Sequence, residues 1–125
     1  MTEYDRQFEP PAPVAEMVIG HPVTDARSGS LRGKLDTGAD VTVIPETLLR
    51  PLGLSPRGRI WVRSYDGTYS QREIYYVRLT IEGHEVPAVR GLAGDRRNVL
   101  VGRNVLNRFV LTLDGKNLRF DLTPA

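Results

Sequence analysis

Leu35-Asp36-Thr37-Gly38-Ala39-Asp40-Val41-Thr42-Val43-Ile44 is the stretch on which the reading of this chain turns. An apolar strand leads into an Asp-Thr-Gly loop and an apolar strand leads out of it. Asp36 supplies a carboxylate. Gly38 has no side chain, so its backbone N–H can come close to that carboxylate. Thr37 offers a hydroxyl that can tie the loop to a neighbour. An ordinary turn, with Asp36 bonding its own backbone, uses the same residue types. Apolar flanks on both sides are rare for a surface turn, and Ala39-Asp40 extends the pattern.

A second segment lies downstream: Asn98-Val99-Leu100-Val101-Gly102-Arg103-Asn104-Val105-Leu106. Between and around the two, turn signals recur at short intervals, among them Ser28-Gly29, Gly53, Asp66-Gly67, Glu82-Gly83 and Asp114-Gly115. Short apolar runs separate them, which argues for an all-β domain. The clearest strand is 74–81, where Val77, Leu79 and Ile81 alternate with Tyr76, Arg78 and Thr80. Glu82-Gly83 should turn it back into a strand at 84–89. Val110 to Leu113 and Leu118 to Phe120 flank Asp114-Gly115-Lys116-Asn117 and predict a hairpin. Two short helices are expected. One runs from Pro45 to Arg50, before Gly53. The other runs from Arg103 to Arg108, after Gly102. Residues 1–13 are polar and proline-rich and read as a flexible or extended leader. Residues 14–125 read as one domain.

Composition narrows the chemistry. With 125 residues the chain can build one modest core. It has no cysteine, which excludes disulfides, thiolate catalysis and cysteine-based zinc sites. Its two histidines, His21 and His84, sit beside turn residues and are too few for a histidine metal site. No metal and no other cofactor is expected. The net charge is only +2, and the groups Arg57, Arg59, Arg63 and Arg96, Arg97 read as solvated faces. A nucleic-acid footprint would be more clustered. No apolar run approaches the about 18 residues that span a membrane, and the start lacks a secretory pattern. The expected location is cytoplasmic, with neither nucleic acid nor membrane as a partner.

The two segments together resemble the retropepsin family, the homodimeric aspartic proteases of retroviruses and their cellular and bacterial relatives. In that family an Asp-Thr/Ser-Gly-Ala loop carries the catalytic aspartate, and an apolar-apolar-Gly-Arg-Asn/Asp segment opens a short helix. The resemblance covers roughly residues 14–122. It implies an all-β closed barrel of the acid-protease type, with one short C-terminal helix and a flap hairpin. It makes Asp36 the catalytic aspartate, Thr37 a cross-subunit hydroxyl grip, and Gly38 a contact to substrate backbone. It pairs Asp40 with Arg103 in an ion pair bracing the loop. A largely buried pair of that kind would cost about 3–5 kcal/mol to break.

The implied flap lies within 60–77, its tip at Asp66-Gly67-Thr68. Its single glycine, Gly67, departs from the glycine-rich tips of retroviral flaps. Trp61, Tyr65, Tyr69, Tyr75 and Tyr76 are the aromatics available to line substrate pockets. Ala39 stands where pepsin-like relatives carry a hydroxyl that bonds the catalytic carboxylate. Its absence implies a rate optimum nearer neutral pH.

The chain contains one Asp-Thr-Gly, whereas the family's chemistry needs two carboxylates sharing a proton. A second copy would supply the other by two-fold symmetry. The expected function is therefore a homodimeric aspartic endopeptidase acting on a peptide or protein substrate. The rival is a catalytically silent peptide-binding module of the same fold. A small barrel binding nucleic acid through its arginines is a weaker alternative, because it leaves Asp36 without a role.

Overall fold

The computed structural model describes residues 1–124. Ten strands alternate with two single-turn helices. The strands are β1 (Thr2–Glu3), β2 (Val14–Gly20), β3 (Leu31–Leu35), β4 (Thr42–Pro45), β5 (Gly58–Arg63), β6 (Tyr69–Ile81), β7 (His84–Gly94), β8 (Val99–Val101), β9 (Phe109–Asp114) and β10 (Arg119–Pro124). The helices are α1 (Glu46–Leu49) and α2 (Arg103–Leu106). Among the described residues no helix is long and apolar enough to cross a membrane.

Six strands close into a barrel in the order β2-β3-β8-β4-β7-β6, and β6 returns to β2 with Met17 opposite Ile81. Closure leaves these strands without free edges. The alternation at 77–81 is what the barrel needs. Val77, Leu79 and Ile81 are fully buried, and Tyr76, Arg78 and Thr80 face away from the core. Met17, Ile19, Ile44 and Val101 fill the same interior. Glu82 and Gly83 both take positive φ, 47° and 81°, in the two-residue turn that pairs Ile81 with His84. Positive φ at both turn positions matches the twist of the flanking strands.

β6 runs well past the expected strand. Its first half pairs with β5, from Gly58 opposite Ile74 to Arg63 opposite Tyr69. This hairpin projects from the barrel, its tip formed by residues 64–68. At the tip Ser64 N–H donates to Thr68 O (2.8 Å) and Gly67 N–H to Ser64 O (2.9 Å). Thr68 donates to Asp66 Oδ1 from its backbone N–H (3.0 Å) and its hydroxyl (2.7 Å). Gly67 takes a φ of 92°, which explains the glycine there.

Both helices are shorter than expected. α1 tightens into a 3-10 turn at Arg50–Leu52, because Pro51 has no N–H to continue the α-helical ladder. Gly53, with φ 74°, ends it and donates to Arg50 O. α2 stops at Leu106, where Asn107 N–H closes back on Arg103 O.

Residues 1–13 differ from a flexible leader, because they are tied to the rest of the chain. Thr2 and Glu3 pair with Phe120 and Arg119, and Tyr4 N–H donates to Leu118 O (2.8 Å). Tyr4 packs on Phe120, and the Thr2 hydroxyl donates to Glu82 Oε1 (2.8 Å). Asp5 pairs with Arg32 at 3.0 Å and bridges to Ala12, which is buried. The edge of β10 offers backbone partners, and a proline-rich segment with even one apolar anchor can dock there.

Candidate active site

Asp36 leaves the end of β3, which runs parallel to β8 with Leu35 opposite Val101. Its N–H donates to Val101 O (3.0 Å), so the first residue of the loop is still fastened to the barrel. The close approach expected of Gly38 is present: its N–H donates to Asp36 Oδ1 at 2.8 Å. A Cβ at Gly38 would stand 3.1 Å from that oxygen, which is tight. Ala39 N–H donates back to Asp36 O (3.2 Å), completing the turn. Asp36 is half-buried, while Thr37 and Gly38 are exposed.

α2 braces this loop from beneath. Arg103 N–H donates to Ala39 O (2.8 Å), its Nη1 to Thr37 O (2.7 Å), and its Nη2 to Asp40 Oδ1. The expected Asp40–Arg103 pair is therefore formed, but it is not buried. The side chains are 84% and 42% exposed, because both reach around the outside of the loop. An exposed pair contributes about 0–1 kcal/mol. Arg103→Ala is expected to cost about 1 kcal/mol in the single chain, lowering the melting temperature by roughly 3–5 °C. A loss matching a buried pair, about 3–5 kcal/mol by thermal melting, would contradict that placement.

The deeper brace was not assigned from the sequence. Thr42 is the one buried polar side chain among the described residues. Its hydroxyl donates to Asn104 Oδ1 (2.9 Å) and accepts from Gly102 N–H (3.1 Å), and its own N–H donates to the same Asn104 oxygen (3.0 Å). Asn104 Nδ2 then donates to Arg90 O on β7 (2.8 Å). Buried polar groups satisfied in this way fix a loop in one geometry. The available signal was a threonine inside an apolar run and an asparagine opening a helix.

A cleft of about 610 Å³ separates the Asp36 loop from the β5–β6 hairpin. Val41, Val43, Leu92 and Leu100 form its apolar wall, with Ile60 and Val62 coming from the hairpin. Trp61 and Tyr65 also border it, and both are largely exposed. The other candidate aromatics lie elsewhere. Tyr75 is in the core, and Tyr69 and Tyr76 are outside this cleft. Two carboxylates border the cleft, Asp36 and Asp40, and Asp40 is engaged by Arg103. Asp36 is thus the carboxylate left to face whatever occupies the space.

The model of the gag-polyprotein putative aspartyl protease family matches residues 29–108, more than half of the chain and both informative segments. The chain belongs to that family. No curated protein sequence matches it. Among solved structures, a retropepsin-like aspartic protease from Rickettsia conorii is similar with a TM-score of 0.58 at 21% identity, covering 91% of this chain and 95% of that one. The Simian Foamy Virus (mac) protease is similar with a TM-score of 0.56 at 21% identity, covering 75% of this chain and 91% of that one. The retroviral protease-like domain of Ddi1 from Leishmania major reaches 0.56 at 15% identity, covering 98% and 89%. At these identities the likeness establishes the fold, a retropepsin-like closed barrel.

Proposed function

We propose that this chain is an aspartic endopeptidase that works as a pair of copies, with Asp36 of each copy at a shared centre. The observation that carries this reading is a half-furnished cleft. One braced carboxylate faces an apolar space beneath a hairpin, and the sequence holds no second Asp-Thr-Gly.

Two carboxylates brought face to face cannot both ionise easily, so the pair holds one proton. The ionised member takes a proton from a water lying between them. The protonated member donates a hydrogen bond to the scissile carbonyl oxygen as the water oxygen attacks the carbonyl carbon. A tetrahedral intermediate forms, the pair delivers a proton to the leaving nitrogen, and the C–N bond breaks. The Gly38 bond holds the carboxylate in orientation, and Thr37, exposed at the loop, is placed to grip the second copy. The rate profile should be a bell whose limbs belong to the pair.

The test is dilution. Specific activity against a peptide library should fall as protein concentration falls through the dissociation range measured by sedimentation. Full-rate cleavage by a sedimenting monomer would overturn the reading. A silent peptide binder is the second reading, favoured by the hairpin tip. There Asp66 and Thr68 satisfy each other and only one glycine provides freedom. Binding of library peptides without any cleavage, at concentrations where the chain is dimeric, would select it.

A further inference from the structure

Three neighbouring strands build the apolar wall of the cleft. Val43 on β4 stands opposite Leu92 on β7 and opposite Leu100 on β8, and all three border the cleft. Gly94 follows two residues beyond Leu92, so it belongs to the same face of β7. A Cβ there would lie 2.5 Å from Val43 Cγ1, and 3.8 Å and 3.9 Å from Arg96 Cγ and Cδ. The absent side chain leaves a floor for the stem of Arg96, on the face of the sheet that lines the cleft. The charged end of Arg96 is exposed, and its Nε reaches only Asn98 O, at 3.4 Å. Among the described residues no carboxylate pairs with it. The ion pairs formed are Asp5–Arg32, Glu73–Arg59, Glu85–Arg78 and Asp40–Arg103. An arginine with its stem on apolar surface and its head unpaired is available to a ligand.

We propose that Arg96 determines specificity, by selecting peptides that carry a glutamate or aspartate two or three residues from the scissile bond. The proposal rests on the reading of the chain as a two-copy endopeptidase, and it names the substrate class of that site. Position along the wall sets the spacing. Asp36 lies at the level of Val101, whose O accepts its N–H, and Arg96 lies at the level of Asn98. From 98 to 101 a strand advances roughly 10 Å, at about 3.3 Å per residue. An extended substrate covers that in about three residues, and the reach of two long side chains takes up part of it. Side chains nearer the bond would meet Val43, Leu92 and Leu100, which suit apolar groups.

Charge favours an acid over its amide. Asp36 is reserved for the chemistry, and Asp40 is held by Arg103. The other charged residue bordering the cleft is Arg63, which also lacks a carboxylate partner among the described residues. A guanidinium that is unpaired in the free chain and covered by bound peptide gains an ionic hydrogen bond only from an acidic residue. A lysine at the same place would set like charges together. In a two-copy assembly Arg96 occurs twice, once on either side of the bond, so the selection acts on both flanks.

The test starts from one peptide of a library that the parent chain cuts. Glu, Gln and Lys are placed in turn at the positions two and three residues from the bond, on either side. At one or more of these positions the parent is expected to favour Glu over Gln by about 5–10-fold in kcat/KM, between the effects of an exposed and a covered pair. The difference should lie in KM and shrink in high salt. Arg96→Gln should cut the Glu and Gln peptides alike, and Arg96→Glu should favour Lys. Arg97→Gln, next to it in the loop, should keep the parent's preference. A parent indifferent to Glu and Gln at all these positions overturns the proposal, as does a preference that survives in Arg96→Gln. Binding of the same peptides to Asp36→Asn chains, with and without the Arg96 changes, is read in parallel by fluorescence anisotropy. Glu-selective binding that depends on Arg96, in a parent that cuts none of the peptides, supports the role of Arg96 and overturns the endopeptidase reading. Cleavage without charge selection does the reverse.

Discussion

Replacing Asp36 with asparagine is expected to remove peptide cleavage while leaving the fold intact. The substitution keeps the size of the side chain and an oxygen that can accept the Gly38 N–H, now at 2.8 Å from Asp36 Oδ1. It removes the group that takes a proton from water. A positioned acid or base contributes about 10²–10⁴-fold, and both copies lose theirs, so the expected fall is at the upper end of that range or beyond. The melting temperature should stay within a few degrees of the parent, roughly 1 kcal/mol or less. Steady-state cleavage of a library-selected peptide checks the first statement and thermal melting the second. An Asp36→Asn chain cutting at an undiminished rate would remove Asp36 from the chemistry.

The second large effect is expected at Gly102. Its φ of −90° suits any residue, so the glycine is there for space. A Cβ at Gly102 would lie 2.6 Å from the Val41 carbonyl carbon, 2.8 Å from its oxygen and 2.9 Å from Thr42 N. Those atoms are backbone, and Thr42 is fastened on both sides through Asn104 and Gly102 itself. Nothing flexible can yield. Gly102→Ala is expected to cost about 3 kcal/mol or more, at the top of the usual overpacking range. That corresponds to a fall of roughly 10 °C for a domain of this size. Cleavage should fall with it, because Val41 borders the cleft and the loop before it carries Asp36. A Gly102→Ala chain that melts with the parent would contradict the packing described here.

These two residues mark what the sequence made legible. Asp36 was readable because its loop is a local pattern, with the glycine two residues away and apolar strands on either side. The alternation of 77–81 was readable for the same reason, since period two reports one face of one strand. Gly102 and Asn104 were visible as parts of a motif but not as parts of a brace. Their partners, Val41 and Thr42, lie some sixty residues away in the chain, and no local pattern encodes such a contact. The burial of Asp40 and Arg103 was misjudged for a related reason. The resemblance implied that they meet, but how far each side chain is covered, 84% exposed for Asp40 and 42% for Arg103, is set by how the loop packs on α2, which no local pattern encodes. The first thirteen residues illustrate the converse. Their composition is that of a linker, and it is the otherwise free edge of β10 that orders Thr2 to Tyr4. A turn at Asp66-Gly67 was legible because Asp-Gly is a local turn signal, and Gly67 takes a φ of 92° there.

The central claim is that one site needs Asp36 from two copies, and subunit mixing tests it most directly. A constant amount of the parent chain is combined with an equal amount of Asp36→Asn chain. The mixture is allowed to exchange at a concentration where sedimentation shows dimers, and peptide cleavage is then measured. Random pairing leaves about a quarter of the doubled number of dimers with two aspartates, so cleavage is expected to fall to about half, and lower still with excess variant. Cleavage that stays at the level of the parent chain alone, however much exchanged variant is added, would mean that each chain carries a complete site of its own.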